Sequence, residues 1–469
     1  MSFVDYLIFC IYFVVILSVG IYFYVKNKSR DDYYVGNRSI SAKHVGLSIV
    51  ATDVGGGFSI GLGGLGFVMG ISGSWLLFTG LVGAWLTAIF IIPKVKLVDA
   101  EQGMLTYPDF LRFKYGKNVA LAAAIISGIG YMGFTGAQIL AGAKLAAGSL
   151  FSEMTMFDPM DFSLFIMASI VLLYTVLGGI KAVIYTDTIQ WIVLLAGLIF
   201  FGIPFSYVAV GGWEVISQQL PSEYFSLTNI SAIQLINWFF TIIPIWFIAM
   251  TLYQRIYACK NEKEAKKAFF IAGIFEYPIM AFMGVLLGMM ARVMFPEAEP
   301  EMGMPMLLRN VLPAGVAGIV VAAYFSAIMS TADSCLIASS GNIVNDIIEK
   351  YFIKRADHKF IMRLSQAVTM IIGVVTVLIA GYFSTVLEII LHAYSFMVGG
   401  LFIPTLAAYF SKRPDNKAAL LSMLSGGTVT VALIFLNPEL PFDLDPSVWG
   451  IALSSAVYLS VNIIRTKNE

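Results

Sequence analysis

Charge is what this chain has least of. Asp, Glu, Lys and Arg make up 12% of its 469 residues, against about 25% in a soluble domain of ordinary composition. The 29 basic and 29 acidic residues cancel, so no overall field draws the chain to nucleic acid. Cysteine is also scarce. Cys10, Cys259 and Cys335 lie far apart and form neither a disulfide framework nor a metal spacing. There are three histidines, of which His44 and His358 fall in loops. No zinc-type spacing, nucleophile elbow or phosphate loop is present. The chain therefore reads as something other than an enzyme.

What it has is apolar sequence. Hydrophobic residues reach 59%, in runs of about 17 to 28, enough to cross a hydrocarbon core about 30 Å thick as helices. The alternating runs of about 10 residues that build membrane barrels are absent, and helices satisfy their own backbone groups in lipid. Thirteen candidate spans result: Leu7–Val25, Val45–Met69, Trp75–Ile92, Ala120–Leu145, Phe162–Leu177, Val183–Val208, Ile233–Tyr253, Ala268–Met294, Gly315–Ile343, Ile361–Tyr382, Val386–Tyr409, Ala418–Phe435 and Val448–Ile464. No Lys or Arg precedes the first, and no cleavage site follows before Lys26, so it reads as a retained helix rather than a signal peptide.

Charge sorts with this count. All 29 basic residues except Lys144, Arg292 and Arg309 fall on one side of an alternating topology. They include Lys26, Lys28, Arg30, Arg38 and Lys43 in the first loop, Arg255–Lys267 after the seventh span, and Lys350–Arg363 after the ninth. Basic loops face the cytoplasm, which places the N-terminus outside and the C-terminus in the cytoplasm. No large soluble domain is expected, and the cell membrane is the expected location.

Chemistry concentrates in a few spans. The second reads SIVATDVGGGFSIGLGGLGFVMG from Ser48 to Gly70. The pair Gly57 and Gly61 suits close helix packing. Three glycines in a row, Gly55 to Gly57, beside Asp53 suggest instead a helix broken at mid-membrane. Its carbonyls would ligate a cation, and its half-helix ends, at Gly55 and Gly56, would hold a substrate. A carboxylate such as Asp53 at that depth usually faces a cavity or partner. The ninth span carries Ser326, Ser330, Thr331, Asp333 and Ser334, largely on one face by their spacing. These hydroxyls either back-bond to their own helix or supply hard oxygens to a small cation. Asp187 opens the sixth span as either an interfacial acid or part of a cation path. Pro244, followed by Trp246, either kinks or breaks the seventh.

Spans two and seven are five apart, as an inverted repeat of five plus five helices requires, with the site between the two breaks. On this reading residues 1–469 form one transmembrane transporter domain. It comprises an extra helix and loop (1–43), a ten-helix core (44–410) and two extra helices (411–469).

The chain resembles the sodium:solute symporter family, whose members include sodium-coupled carriers of sugars, proline, pantothenate, sialic acid and choline. The likeness runs from about Tyr6 to Tyr409. It includes DDYYVGNR (Asp31–Arg38), GGIKAVIYTDTIQ (Gly178–Gln190), QRIYACKNEKEAKK (Gln254–Lys267) and AIMSTADSCLIASS (Ala327–Ser340). The resemblance implies a leucine-transporter-like fold working by alternating access, with Na+ as the coupling ion. It implies a main sodium site at Ala51, Val54, Ala327, Ser330 and Thr331. It further implies a second site at Asp187, Ser330, Asp333 and Ser334, with Asp333 standing where some relatives have a hydroxyl. The choline branch's tryptophans fall on Asp53 and near Ala249, so its aromatic cage is not reproduced. The proline branch has an aspartate at the Asp53 position. Phe58, Gln138 and Trp246 are pocket neighbours by position.

The expected function is sodium-coupled import of a small organic solute: an amino acid, amine, monocarboxylate or sugar. A proton-coupled symporter and a transporter-like solute sensor are the alternatives. The lipid bilayer and the solute are the expected partners, with no nucleic acid and no obligate protein partner.

Overall fold

A computed structural model describes residues 1–26, 35–175, 180–353, 358–436 and 438–468. Asp31–Tyr34, Leu177, Gly178 and Gly179, and the basic residues Lys28, Arg30, Lys354 and Arg355 lie outside the described residues. Among those described, the chain is helical almost throughout, and the one β pairing is a bridge between Ile40 and Cys259.

The helices in chain order begin with α1 (Phe3–Lys26), α2 (Ala42–Asp53) and α3 (Gly55–Met69). A tight turn, Gly70–Ser74, leads into α4 (Trp75–Leu86), which continues through a π-helical turn into α5 (Ile92–Gln102). Thr106 and Asp109 form a capping box that starts α6 (Tyr107–Tyr115), and α7 (Lys117–Gly148) follows. Then come α8 (Pro159–Thr175), α9 (Ile180–Gly197), α10 (Ile203–Ala209) and α11 (Gly212–Gln219). The second half holds α12 (Ala232–Ile248), α13 (Met250–Ala258), α14 (Glu262–Ile274), α15 (Ala281–Met294), α16 (Pro300–Val311) and α17 (Val316–Gly341). It ends with α18 (His358–Tyr382), α19 (Val386–Phe410), α20 (Asn416–Leu436) and α21 (Pro446–Asn468).

Nine helical segments among the described residues are long and apolar enough to cross a membrane, and the bent pair α12–α13 makes a tenth. One segment, Gly55–Gln102, holds 48 residues. A straight helix of that length would extend about 72 Å, more than twice the core of a bilayer. The turn at Gly70–Ser74, where Gly70 has φ +72° and ψ −148°, interrupts it at the boundary between the second and third runs of the sequence.

The site is positioned by α17. Its apolar stretch is 89% buried, against 28% for α21 at the edge. Around α17 pack α7, α9, α2 and α3, while α20 and α21 lie together against α19.

Two sequence expectations change here. The seventh span breaks at Ala249, whose ψ of 117° leaves the helical region and bends α12 against α13 by 44°. Pro244 sits inside α12 without opening it. A proline removes one donor, whereas a break needs a residue outside the helical basin. In addition, the helical chain runs on to Ala258, so Arg255 belongs to a buried half-helix rather than to a loop.

Candidate ion and substrate sites at two helix breaks

The first break lies between Asp53, the last residue of α2, and Gly55, the first of α3. Gly55 has φ +46°, and a Cβ there would sit 2.3 Å from Thr331 Oγ1. Both facts demand glycine, since an L side chain is strained at positive φ. Thr331 reaches the break from α17. Its hydroxyl donates to the Ala51 carbonyl at 2.8 Å and lies 3.1 Å from the carbonyl of Ala327. The contact to Ala327 is an ordinary helical back-bond. The contact to Ala51 crosses between helices and joins three hard oxygens. The Val54 carbonyl accepts the Phe58 N–H at 3.1 Å. Gly56 packs against the Ile328 side chain.

Ser330, one residue before Thr331, turns elsewhere and donates to Asp187 Oδ1. Asp187 is fully buried on α9, and its Oδ2 also accepts the Ser48 hydroxyl. Opposite stands Arg255, equally buried, with Nη2 3.4 Å from Asp187 Oδ2. Nη2 also reaches Thr52 Oγ1 and Ser334 Oγ, while Nε donates to Ser48 Oγ and Nη1 to the Thr251 carbonyl. The structure thus brings Asp187, Ser330 and Ser334 together around a guanidinium. Asp333 points away from this cluster: its Oδ1 accepts from Thr175 on α8, and its Oδ2 has no partner among the described residues. The polar residues of α17 do not form one stripe. The helix is buried on every side, so residues at neighbouring positions meet different partners.

A third cluster occupies the space between the breaks. Asp53 faces Glu276. Glu276 is fully buried where the span formed by α14 and α15 is interrupted, at Phe275–Met280. Tyr277, next to it, leaves the helix with φ −138° and ψ 124°. Neither oxygen of Glu276 has a hydrogen-bond partner among the described residues. Gly80 lies against it: a Cβ on Gly80 would be 2.4 Å from Glu276 Oε2 and 3.8 Å from Trp246 Nε1. The buried Trp246 Nε1 also has no partner among the described residues, and its ring lies over Gly83. Gln138 accepts the Gly57 N–H at 2.9 Å, and its Nε2 has no partner among the described residues. Phe58 packs with Phe134 and Tyr394, at ring separations of 6.5 and 6.0 Å.

The profile of the sodium:solute symporter family matches residues 33–426. The chain belongs to this family. A high-affinity proline transporter of Bacillus subtilis is 26% identical over 463 residues, covering 96% of this chain and 95% of that protein. A sodium/glucose cotransporter of Vibrio parahaemolyticus is 25% identical, covering 100% and 92%. Among solved structures, a Na+-coupled sialic acid symporter in a substrate-bound outward-open state superposes with a TM-score of 0.75 at 20% identity, covering 98% of this chain and 96% of that one. The nucleobase-cation-symport-1 transporter Mhp1 superposes with 0.64 at 13% identity, covering 94% and 96%. Family membership makes the chain a multi-pass transporter rather than an enzyme, and with the shared fold it supports sodium-coupled transport of a small solute.

Sequence reasoning missed Glu276, Arg255, Thr52 and Ser48. Glu276 carried a usable signal, because a carboxylate amid an apolar run invites the same suspicion as Asp53. Arg255 lay two residues beyond the predicted end of its span.

Proposed function

We propose that the chain is a secondary active symporter that imports a small organic solute with Na+ by alternating access. Its main ion site is formed by Ala51, Val54, Ala327 and Thr331, with the Ser330 hydroxyl, which here donates to Asp187, as its further donor. The observation carrying this reading is the Thr331 hydroxyl, which joins the Ala51 carbonyl of the broken helix to the Ala327 carbonyl of α17. These oxygens are hard donors of the kind a small cation takes. Unwound backbone at this depth is tolerated where it lines a site. The surrounding topology has thirteen crossings in the cell membrane, with the N-terminus outside. The sorting of basic residues supports it. Sodium entry then supplies about 2.3 kcal/mol per charge per 100 mV of membrane potential.

The test is uptake into proteoliposomes under an inward sodium gradient, with labelled amino acids, amines, monocarboxylates and sugars. Accumulation that depends on sodium and is lost in Ser330→Ala/Thr331→Ala supports the symporter. Accumulation driven by a proton gradient with no need for sodium replaces the coupling ion. Binding without accumulation under either gradient makes the protein a sensor.

A further inference from the structure

We infer that the solute is a small organic amine of net positive charge, held between the carboxylates of Asp53 and Glu276. The inference rests on the symporter reading above and names its substrate class.

Two buried carboxyl groups, Asp53 beside the Gly55 break and Glu276 at the Phe275–Met280 interruption, lie against each other. Buried acids are ordinarily paired with a cation or fully hydrogen-bonded. Here, beyond Asp53, both oxygens of Glu276 lack a partner among the described residues. The nearby buried cation, Arg255, is committed to Asp187, Ser48, Thr52, Ser334 and the Thr251 carbonyl. Apart from each other, the two acids present acceptor capacity that no donor among the described residues meets at Glu276.

The surroundings select the kind of cation. A bare metal ion takes a shell of several oxygens. Beside Glu276 the wall is instead the indole of Trp246, with an unpartnered N–H, and the side-chain-free face of α4 at Gly80 and Gly83. An ammonium group brings its own N–H donors to the carboxylates, and its aliphatic body is at home against an aromatic face. A zwitterion would bring a carboxylate towards two others, a like-charge juxtaposition that works against it.

A second observation agrees. A cavity alongside α3, lined by Gly61 and Gly64, also carries Glu299, Glu301, Glu388 and Asp445. Lys144 pairs with Glu299 and Glu301, which leaves Glu388 and Asp445 to favour entry of positive charge.

The probes are labelled 1,4-diaminobutane, 1-aminobutane and proline. Each is tested for uptake under an inward sodium gradient and for calorimetric binding to the purified protein. The amines are expected to bind and accumulate. Glu276→Gln and Asp53→Asn are each expected to weaken amine binding by about thirtyfold or more. Glu276→Asp, which keeps the charge, is expected to bind better than Glu276→Gln of nearly native size. The reverse order overturns the proposal even where both proteins are poorly behaved. Sodium-driven uptake of proline that survives in Glu276→Gln overturns the amine site and leaves the symporter standing. Binding of radioactive sodium alone that is lost in Glu276→Gln makes the pair an ion site and also overturns it. Amine binding that is lost in Glu276→Gln, without accumulation in the native protein, upholds the site and refutes symport.

Discussion

Arg255 and Asp187 form an ion pair with neither side chain at the surface, Nη2 lying 3.4 Å from Oδ2. They stand on α13 and α9, and Ser48 and Thr52 of α2 and Ser330 and Ser334 of α17 complete their hydrogen bonds. One guanidinium thus ties both broken helices to the two helices that flank them. Such a pair adds little over an apolar replacement, but an orphaned partner is costly.

Removing one partner is therefore expected to be worse than removing both. Arg255→Ala or Asp187→Ala should each destabilise the purified protein by about 3–5 kcal/mol. The joint replacement should lose clearly less than the sum. Thermal unfolding midpoints of the three variants check this, and additive losses would mean the two residues act independently.

The Thr331 hydroxyl carries the proposed ion site. Thr331→Ser keeps an oxygen at the same place and should leave sodium dependence within a few-fold of native. Thr331→Ala should raise the sodium concentration for half-maximal uptake about tenfold, equivalent to about 1.4 kcal/mol. Equal behaviour of the two variants would remove this hydroxyl from the site.

Gly55 combines a left-handed backbone with contact to Thr331. Gly55→Ala is expected to cost about 1–2 kcal/mol from backbone strain alone, with further loss from the displaced hydroxyl. Uptake should fall more than stability does. Native transport in this variant would show that the break tolerates a side chain.

Asp445 lies in the loop before α21, where burial raises its carboxyl above the usual carboxylate range. A folded-state value above the unfolded one contributes stability at low pH that is lost as pH rises through the folded value. Asp445→Asn should therefore raise the unfolding midpoint at neutral pH relative to native. The gain should shrink as pH falls towards the ordinary aspartate range. A gain that is constant with pH would point to packing instead.

The legible part of this protein was its period and punctuation. Apolar runs locate helices because lipid forbids most alternatives. Gly55–Gly57 announced one break because three glycines have little other use. The other break stayed hidden, because Ala249 has no side-chain signature and Pro244 drew attention five residues too early. In α17 the polarity of Ser330, Thr331, Asp333 and Ser334 was readable but their directions were not. A helix with neighbours on all sides gives no amphipathic cue to which partner each residue meets. Glu276 needed only the argument already applied to Asp53, while its pairing with Asp53 needed the fold.

The backbone seam between α3 and α15 has a mechanical consequence. A Cβ on Gly288 would lie 2.0 Å from the Gly63 carbonyl, and one on Gly66 would lie 2.2 Å from that of Val285. Main chains in such contact behave as a single rod, since close-packed interiors transmit displacement rather than absorb it. Glu276 and Asp53 both lie just outside this rod, Glu276 across the interruption at Tyr277 and Asp53 across the glycine hinge at Gly55. Each acid is thus joined to the rod through a break in its own helix, and movement of the rod as a unit displaces both breaks together.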